Sequence, residues 1–327
     1  MRDLDIVSLG EPMIEFCSTS MGPLKEVKYL ERGWGGDTSN VVVAAARLGR
    51  RCGYICRIGD DEFGKSFLGM WRHENIDTSH VIVEKGSFTA VYFISIMDGG
   101  KHDFTYYRAG SAASHLTPKD IDPDYVRRAR IFHSSGISQA ISPTCKEAVF
   151  KAAETAKKSG ILFSYDPNIR LKLWPLTAAR EVVSSTLEMA DIALPNMDDA
   201  EIVTGHSSPE NAAKAILKKG PSVVALKLGA EGCLAMTREK AVKVPGFKVS
   251  VVDTTGAGDA FDGAFLVGLI EELPIEKAAQ LANATAALKI LGRGAVSPLP
   301  SRKKVIEFLQ KTRGQDDNVG FSEKACS

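Results

Sequence analysis

The sequence predicts an α/β protein with a mostly parallel central sheet, helices on both of its faces and a small β-sheet lid. Short β-branched runs alternate with longer helical patterns along most of the chain, which is typical of βαβ units. Two strand-rich regions interrupt this alternation. With 327 residues, the chain is long enough for one large α/β domain or two smaller ones.

The predicted core strands are short apolar runs, which are typical of strands buried on both faces: Ile6–Leu9, Gly53–Ile58, Ile131–Ser134, Leu162–Tyr165, Ile192–Leu194 and Val223–Leu226. Helical patterns separate them, among them Ser39–Leu48, Lys146–Lys158, Ala178–Glu188 and Glu210–Lys218. Gly232–Met236 and Val242–Val244 are predicted as hairpin strands at the sheet edge. Three helices are predicted after Gly258: Ala260–Ile270, Ile275–Ile290 and Arg302–Thr312.

The two regions that interrupt the alternation are Cys17–Leu30 and Phe88–Tyr107. In the second, Asp98-Gly99-Gly100-Lys101 is a strong hairpin turn signal. Bulky residues lie on both faces of this hairpin, so it needs cover on both sides. We interpret it as part of a lid that closes on the main domain or pairs with another subunit. An ordinary peripheral hairpin fits the pattern equally well.

Composition and charge exclude several function classes. The 41 basic and 40 acidic residues nearly cancel, and no basic block predicts nucleic-acid binding. No apolar run approaches the ~20 residues of a membrane span, and the N-terminus lacks the apolar core of a signal peptide. None of the cysteines forms a C-x-x-C pair, which indicates free thiols in a reducing compartment: Cys17, Cys52, Cys56, Cys145, Cys233 and Cys326. We therefore expect a cytoplasmic protein.

The segment from Val252 to Phe265 gives the strongest indication of function. A β-branched run ends in Gly256-Ala257-Gly258, and Asp259 follows before an apolar helix of small residues. Glycines let backbone N–H groups converge on a ligand, and a helix start favours phosphate. If the loop only bound phosphate, the carboxylate of Asp259 would repel this anion. The carboxylate is instead suited to act as the base that deprotonates a hydroxyl group attacking the phosphate. The alternative is an ordinary N-cap aspartate.

A second glycine-rich segment, Gly33-Trp34-Gly35-Gly36-Asp37-Thr38-Ser39-Asn40, precedes an early helix. It matches neither a P-loop nor a dinucleotide fingerprint. Gly35, Gly36 and Asn40 are predicted to hold sugar hydroxyls through N–H and amide groups. Capping of the helix by Asp37 or Thr38 is the alternative.

Together these segments resemble the two signatures of the ribokinase-like (PfkB) carbohydrate kinases, in the same order and separation. The resemblance includes Leu194-Pro195-Asn196, Lys227 to Gly232, and Gly292-Arg293-Gly294-Ala295. It implies a three-layer α/β/α sandwich with a β lid over residues 1–313, with lid strands at about 11–31 and 87–107. Residues 314–327 are expected to form a loose tail.

The resemblance implies MgATP as phosphoryl donor and a sugar hydroxyl as acceptor, with Asp259 as general base. Gly256, Ala257 and Gly258 would form the anion hole. The nucleotide-side positions that it implies are Asn168, Asn196, Lys227, Gly229, Gly232 and Asn283, together with the anion-hole glycines. The family's Asn-x-x-Glu reads Asn196-Met197-Asp198-Asp199 here, so Asp199 replaces a longer carboxylate near Mg²⁺. A K⁺ site partly through Asp253 and the carbonyl of Thr255 is also implied.

The segments Tyr106 to Ser114 and Asp166 to Arg170 resemble family members that phosphorylate 2-keto-3-deoxygluconate, with C-6 as the implied acceptor. A sugar acid needs a cation for its carboxylate, which Arg108 and Arg170 can supply; an ion pair of Arg170 with Asp166 is the alternative. The predicted sugar-side set is Glu15, Gly35, Gly36, Asn40, Tyr92, Tyr106, Arg108, the backbone near Ile137, Arg170 and Asp259.

Two alternative functions stay open at this stage. Fructokinases share much of the pattern, including Gly10-Glu11, so fructose is the alternative substrate. Some proteins with kinase folds act only as binding or regulatory modules, although the intact Asp259 argues against that class. We also expect a homo-oligomer.

Overall fold

Two β-sheets organise the computed structural model, which describes residues 2–97 and 102–312. Their strands, in chain order, are β1 (Ile6–Leu9), β2 (Met13–Met21), β3 (Leu30–Gly35), β4 (Cys52–Gly59), β5 (Val81–Glu84), β6 (Val91–Ile96), β7 (His102–Tyr107), β8 (Ile131–Ser135), β9 (Leu162–Asp166), β10 (Ile192–Ala193), β11 (Val223–Lys227), β12 (Cys233–Thr237) and β13 (Ala241–Val244). The nine-stranded main sheet has the order β13-β12-β11-β10-β9-β8-β1-β4-β5. It is parallel from β5 to β11, and β12 and β13 add an antiparallel edge.

Helices cover both faces of the main sheet. They are α1 (Asp37–Arg47), α2 (Glu62–His73), α3 (Pro123–Arg127), α4 (Gly136–Ala140), α5 (Pro143–Lys158), α6 (Leu176–Leu187), α7 (Met197–Thr204), α8 (Pro209–Lys219), α9 (Ala257–Ile270), α10 (Ile275–Lys289) and α11 (Arg302–Thr312). Helices α1, α2 and α9–α11 contribute to one apolar cluster, and α3 and α5–α8 contribute to the other. The three-layer arrangement predicted from the alternation is therefore confirmed.

The second sheet is the predicted lid. Its order is β3-β2-β6-β7, with β2 and β6 parallel and both outer pairs antiparallel. One side buries Met13, Ala90 and Ile94, whereas Tyr29 and Tyr107 are exposed. The lid strand β3 runs to Gly35, beyond the predicted limit near residue 31, and leads directly into α1. The predicted turn at residues 98–101 lies outside the described residues.

Most predicted elements are confirmed to within two or three residues, including the β12–β13 edge hairpin. Prediction missed the helices α2, α3, α4 and α7 and the edge strand β5. Helix α1 begins at Asp37, two residues before the predicted start, because Gly36 with a φ of 103° supplies the N-cap. The predicted tail at 314–327, which includes Cys326, lies outside the described residues. No described helix is long and apolar enough to cross a membrane.

Candidate active site

The loop before α9 lies at the carboxyl ends of the parallel strands, because Asp262 of α9 pairs with Lys227, the last residue of β11, at 3.0 Å. Open α/β sheets bind ligands in a cleft at this edge. Gly256 is the N-cap of α9 in the left-handed region, with a φ of 75°, and no side chain caps the helix. The carboxylate of Asp253 holds the loop by accepting the N–H of Thr255 and the N–H of Gly294, both at 2.8 Å. The N–H of Ala257, predicted as part of the anion hole, donates instead to the carbonyl of Thr254 at 3.1 Å. The N–H of Gly258, in the first turn, has no intrahelical acceptor and is available to an anion.

Asp259 lies in the first turn of α9 and does not cap it, which excludes the N-cap alternative. Its Oδ2 accepts a hydrogen bond of 2.7 Å from Nδ2 of Asn40 in α1. The two glycine-rich segments, 219 residues apart in sequence, therefore meet at this carboxylate. Burial, followed by repulsion from Asp37, raises the pKa of Asp259 to about 7, against the opposing effect of the Asn40 hydrogen bond. A pKa near neutrality suits a general base.

Asp37 is a polar residue of this site that the sequence analysis placed only as a helix cap. It caps nothing in α1. Its Oδ2 accepts the hydroxyl hydrogen bond of Ser135, and its Oδ1 is buried without a partner, as is Oδ1 of Asn40. Burial raises the pKa of Asp37. Two buried oxygens that lack donors beside Asp259 are suited to accept hydroxyl hydrogens from a polyol.

The two predicted sugar-acid arginines have different surroundings. Arg108, which follows the lid strand β7, donates to the buried carboxylate of Glu11, and its guanidinium lies over the ring of Tyr106 at 5.5 Å. Arg170 is exposed, and its recorded hydrogen bond goes to the carbonyl of Ile169 at 3.1 Å. None of the ion pairs in the described part of the chain involves Arg170, so the alternative pair with Asp166 does not form.

A groove of about 340 Å³ opens beside the anion hole, between the ends of β10 and β11. It is lined by Asn196, Met197, Asp198, Pro209, Lys227, Leu228, Gly229 and Glu231. Asn196 shapes one wall by capping α7 through a 2.8 Å bond from the N–H of Asp199. Gly229 and Gly232 both have positive φ and turn the chain back into β12. The predicted nucleotide-side residues Asn196, Lys227 and Gly229 thus line one groove.

Lys227 connects the groove to the cleft. Its Nζ lies 3.0 Å from Asp166 and 3.0 Å from Asp262. Burial alone would lower the pKa of Lys227, but the two aspartates more than offset it and raise the pKa. A Cβ added at Gly258 would be 3.5 Å from Nζ, so this ammonium is adjacent to the anion hole. Asp262 was missed, although a lone carboxylate inside an apolar helix indicates a buried pair.

Asp199 replaces the family's glutamate, and its side chain points to the region of Asp166. It is 2% exposed. Oδ1 accepts the N–H of Ile169 at 3.0 Å, and Oδ2 is buried without a partner. Burial and repulsion from Asp166 raise its pKa to about 7. No group of three metal-ligating side chains converges within residues 2–97 and 102–312. One free carboxylate oxygen fits a Mg²⁺ that is held mainly by phosphates and water.

Several predicted site residues are buried and hydrogen-bonded to protein groups. Tyr92 donates to Oε2 of Glu15 at 2.5 Å inside the lid. Asn283 donates to the carbonyls of Val244 and Pro245, both at 3.1 Å, at the end of β13. Asn168, with a φ of 35°, places its N–H 3.2 Å from Asp166. The remaining predicted sugar-side positions lie at element boundaries of the cleft: Gly35 ends β3, Gly36 precedes α1, and Ile137 lies in the first turn of α4.

Comparison with known proteins identifies relatives along the whole domain. The model of the pfkB family carbohydrate kinases matches residues 3–302. A 2-dehydro-3-deoxygluconokinase of Thermoproteus tenax is 36% identical and covers 94% of both chains. An Arabidopsis thaliana protein named fructokinase-3 is 33% identical over 98% of this chain and 96% of its own. An Escherichia coli protein described as ribokinase II, solved with ATP and Mg²⁺, superimposes with a TM-score of 0.88 at 27% identity, covering 94% of this chain and 99% of its own.

Proposed function

The chain belongs to the pfkB family of carbohydrate kinases, and we propose that it transfers the γ-phosphate of ATP to the C-6 hydroxyl of 2-keto-3-deoxygluconate, also named 2-dehydro-3-deoxygluconate. Asp259 supports the kinase chemistry, because it combines a pKa near 7 with a place beside unpaired helix N–H groups. Arg170 supports the sugar acid, because its exposed guanidinium forms no salt bridge within residues 2–97 and 102–312.

In the proposed reaction the carboxylate of Asp259 takes the proton of the attacking hydroxyl. The hydroxyl oxygen forms a bond to the γ-phosphorus, the bond from that phosphorus to the β,γ-bridging oxygen breaks, and ADP leaves. The N–H groups of Gly256 and Gly258 stabilise the negative charge on the transferring phosphoryl group, whereas the N–H of Ala257 donates to the carbonyl of Thr254. Asn40 holds Asp259 in place through its 2.7 Å hydrogen bond.

ATP is proposed to lie in the groove along Asn196, Lys227 and Gly229, with its γ-phosphate directed at Gly258. Mg²⁺, held by the phosphates and through water by Asp199, would neutralise charge on the nucleotide. The Lys227 ammonium, next to Gly258, adds positive charge where the phosphoryl group passes. Closure of the lid would exclude water from the transfer.

The proposal distinguishes the two arginines. The charge of Arg108 is already balanced by Glu11, so its main contribution is to orient the lid strand and Tyr106. Arg170 forms no salt bridge within the described residues and influences the Asp199 carboxyl only at longer range, so its guanidinium is free to grip a carboxylate with two parallel hydrogen bonds. Arg170→Leu should therefore lower kcat/KM for the sugar acid by roughly 10–150-fold, from a charged hydrogen bond worth ~1.5–3 kcal/mol. The loss with fructose should be small.

The test is a coupled ADP-release assay with 2-keto-3-deoxygluconate, 2-keto-3-deoxygalactonate, fructose, ribose and adenosine. Asp259→Asn serves as the inactive control, and Arg170→Lys should recover part of the lost activity, since it keeps the charge but not the planar fork. If fructose is the best substrate and Arg170→Leu lowers both activities equally, Arg170 is structural and the enzyme is a fructokinase. If no sugar stimulates ADP release, the kinase assignment itself fails.

A further inference from the structure

Lys289, the last residue of α10, is one of the largest side chains that the fold buries completely, with 0% exposure. Lysine is almost never fully buried unless its charge is compensated, because removing an ammonium from water is costly. A buried lysine outside the cleft therefore requires an explanation from its surroundings.

The ammonium of Lys289 is bonded to the loop that carries the anion hole. Its Nζ donates to the backbone carbonyl of Asp253 at 2.9 Å. Asp253 is the residue whose carboxylate holds Thr255 and Gly294, and its own N–H approaches the carbonyl of Ile290 at 3.3 Å. Lys289 therefore joins the end of α10 to the start of the loop that leads into α9.

The charges around Lys289 are those of a compensated buried cation. Burial lowers its pKa, and the carboxylates of Asp253, Glu15 and Asp259 oppose that effect in decreasing order. Lys289 in turn is the main charge that lowers the pKa of Asp253, which burial alone would raise. One positive charge thus interacts with the loop, with the lid through Glu15, and with the proposed base.

The family resemblance implies a K⁺ site partly at Asp253 and the carbonyl of Thr255, but the oxygens of Asp253 do not fit one, because its carboxylate accepts two backbone N–H groups and its carbonyl accepts the Lys289 ammonium. Oγ1 of Thr255 is the buried oxygen of this loop that has no partner. A K⁺ ion in a protein replaces its hydration shell with oxygen dipoles, carbonyl groups above all. The carbonyl of Asp253 already accepts from an ammonium, whose charge would repel a second monovalent cation at the same loop. An ammonium group and K⁺ are similar in size and carry the same charge.

We propose that the Lys289 ammonium replaces a monovalent cation beneath the anion hole, so that the enzyme holds its 253–256 loop in the active conformation without K⁺. Lys289 acts as a positioning residue: it neutralises the buried carboxylate of Asp253, fixes the carbonyl that starts the loop, and places a positive charge behind the N–H groups of α9. The proposal rests on the kinase function proposed above.

The test compares the wild type, Lys289→Met and the control Lys277→Met, which changes a partly exposed lysine in the first turn of α10. Turnover is measured with ATP and the best sugar while KCl replaces tetramethylammonium chloride at constant ionic strength. The wild type and the control should show the same kcat in both salts. Without K⁺, Lys289→Met should lose roughly 10- to 100-fold in kcat, as expected for a misplaced catalytic loop, and K⁺ or NH₄⁺ should restore part of it.

A second measurement does not depend on turnover. In thermal unfolding of the protein without nucleotide or sugar, K⁺ should raise the Tm of Lys289→Met and leave the wild-type Tm unchanged, because only the variant has a site to fill. Activation of the wild type by K⁺, or a folded Lys289→Met with normal kcat in its absence, would overturn the proposal. If the variant does not fold, the wild-type salt comparison still decides. Failure of all sugars to react would instead reject the kinase function and leave the melting comparison standing.

Discussion

Replacing the two neighbours of Asp259 should shift the pH dependence of phosphoryl transfer in opposite directions. The pKa of Asp259 is raised to about 7 by burial and by repulsion from Asp37, and the hydrogen bond from Asn40 works against this. Asp37→Asn removes the like charge and should lower that pKa. Asn40→Ala removes the donor to the carboxylate and should raise it.

The magnitude follows from the energies of these contacts. For a base with a pKa of about 7, kcat/KM should rise about tenfold between about pH 6 and about pH 8, as the ionised fraction grows from about a tenth to about nine tenths. A hydrogen bond to a charged group contributes ~1.5–3 kcal/mol, which corresponds to roughly 1–2 pKa units. We therefore expect the acidic limb of the profile of kcat/KM against pH to move to higher pH by about one unit in Asn40→Ala, and to lower pH by a similar amount in Asp37→Asn.

The assay is kcat/KM for the sugar against pH at saturating ATP, because this parameter reports ionisations of the form of the enzyme that has not yet bound sugar. Asp124→Asn, which changes an exposed aspartate of α3, is the control and should leave the limb unmoved. Absolute activity will fall in both cleft variants, but the position of the limb does not depend on that loss. Shifts of the same sign in both variants, or an unmoved limb, would show that another group titrates.

Three further predictions test the fold around the site. Gly232→Ala should destabilise the protein far more than Gly229→Ala. Both glycines have positive φ, which typically costs an alanine ~1–2 kcal/mol, but only at Gly232 would the new Cβ collide with the carbonyl of Val244. Urea unfolding measures the difference in unfolding free energy, and equal losses in the two variants would contradict this prediction. Lys227→Met should cost ~3–5 kcal/mol of unfolding free energy at pH 8, because two buried aspartates lose their cation. That loss should shrink toward pH 5, because burial raises the pKa of Asp262, which therefore takes up a proton more readily in the folded state; a pH-independent loss would argue against the ion cluster. The lid strand β6 should gain protection from hydrogen exchange when sugar binds, and unchanged protection would favour a purely structural sheet.

The fold could be predicted largely because its core strands are continuous apolar runs between capped helices. Ile6–Leu9 and Arg302–Thr312 were predicted at the bounds that the structure shows. Helix α2 carries Phe63, Phe67, Met70 and Trp71 at helical spacing and begins after the N-cap Asp61, so the sequence contains the signal for this helix that prediction missed. Strand β5 was missed because it is a four-residue edge strand with partly exposed residues. Local pattern does not determine such a short strand, and tertiary packing does.

Site residues could be predicted only where neighbouring residues in the sequence indicate their role, as the glycine turn does for Asp259. The partners of charged residues come from distant segments and leave no local signal. Arg108 is balanced by Glu11, which is 97 residues away, and Lys227 by Asp166, which is 61 residues away. Arg108 and Arg170 were therefore predicted to have the same role, although in the structure only Arg108 forms a salt bridge.

The distribution of charge in the cleft constrains how the nucleotide enters it. Carboxylates of Asp166, Asp199, Asp259 and Asp262 lie around Lys227. Burial raises the pKa of Asp199 and of Asp259 to about 7, and repulsion from Asp166 adds to both shifts. A bare nucleotide polyphosphate would meet repulsion from these groups that one lysine does not offset. A Mg²⁺-bound nucleotide brings its own neutralising charge, so its phosphates would meet less repulsion and could accept from the N–H groups of α9. The negative field strengthens Asp259 as a base, but it opposes a second negative charge on the sugar oxygen. The cation that accompanies the nucleotide would offset this opposition, which couples deprotonation of the sugar to the presence of the second substrate.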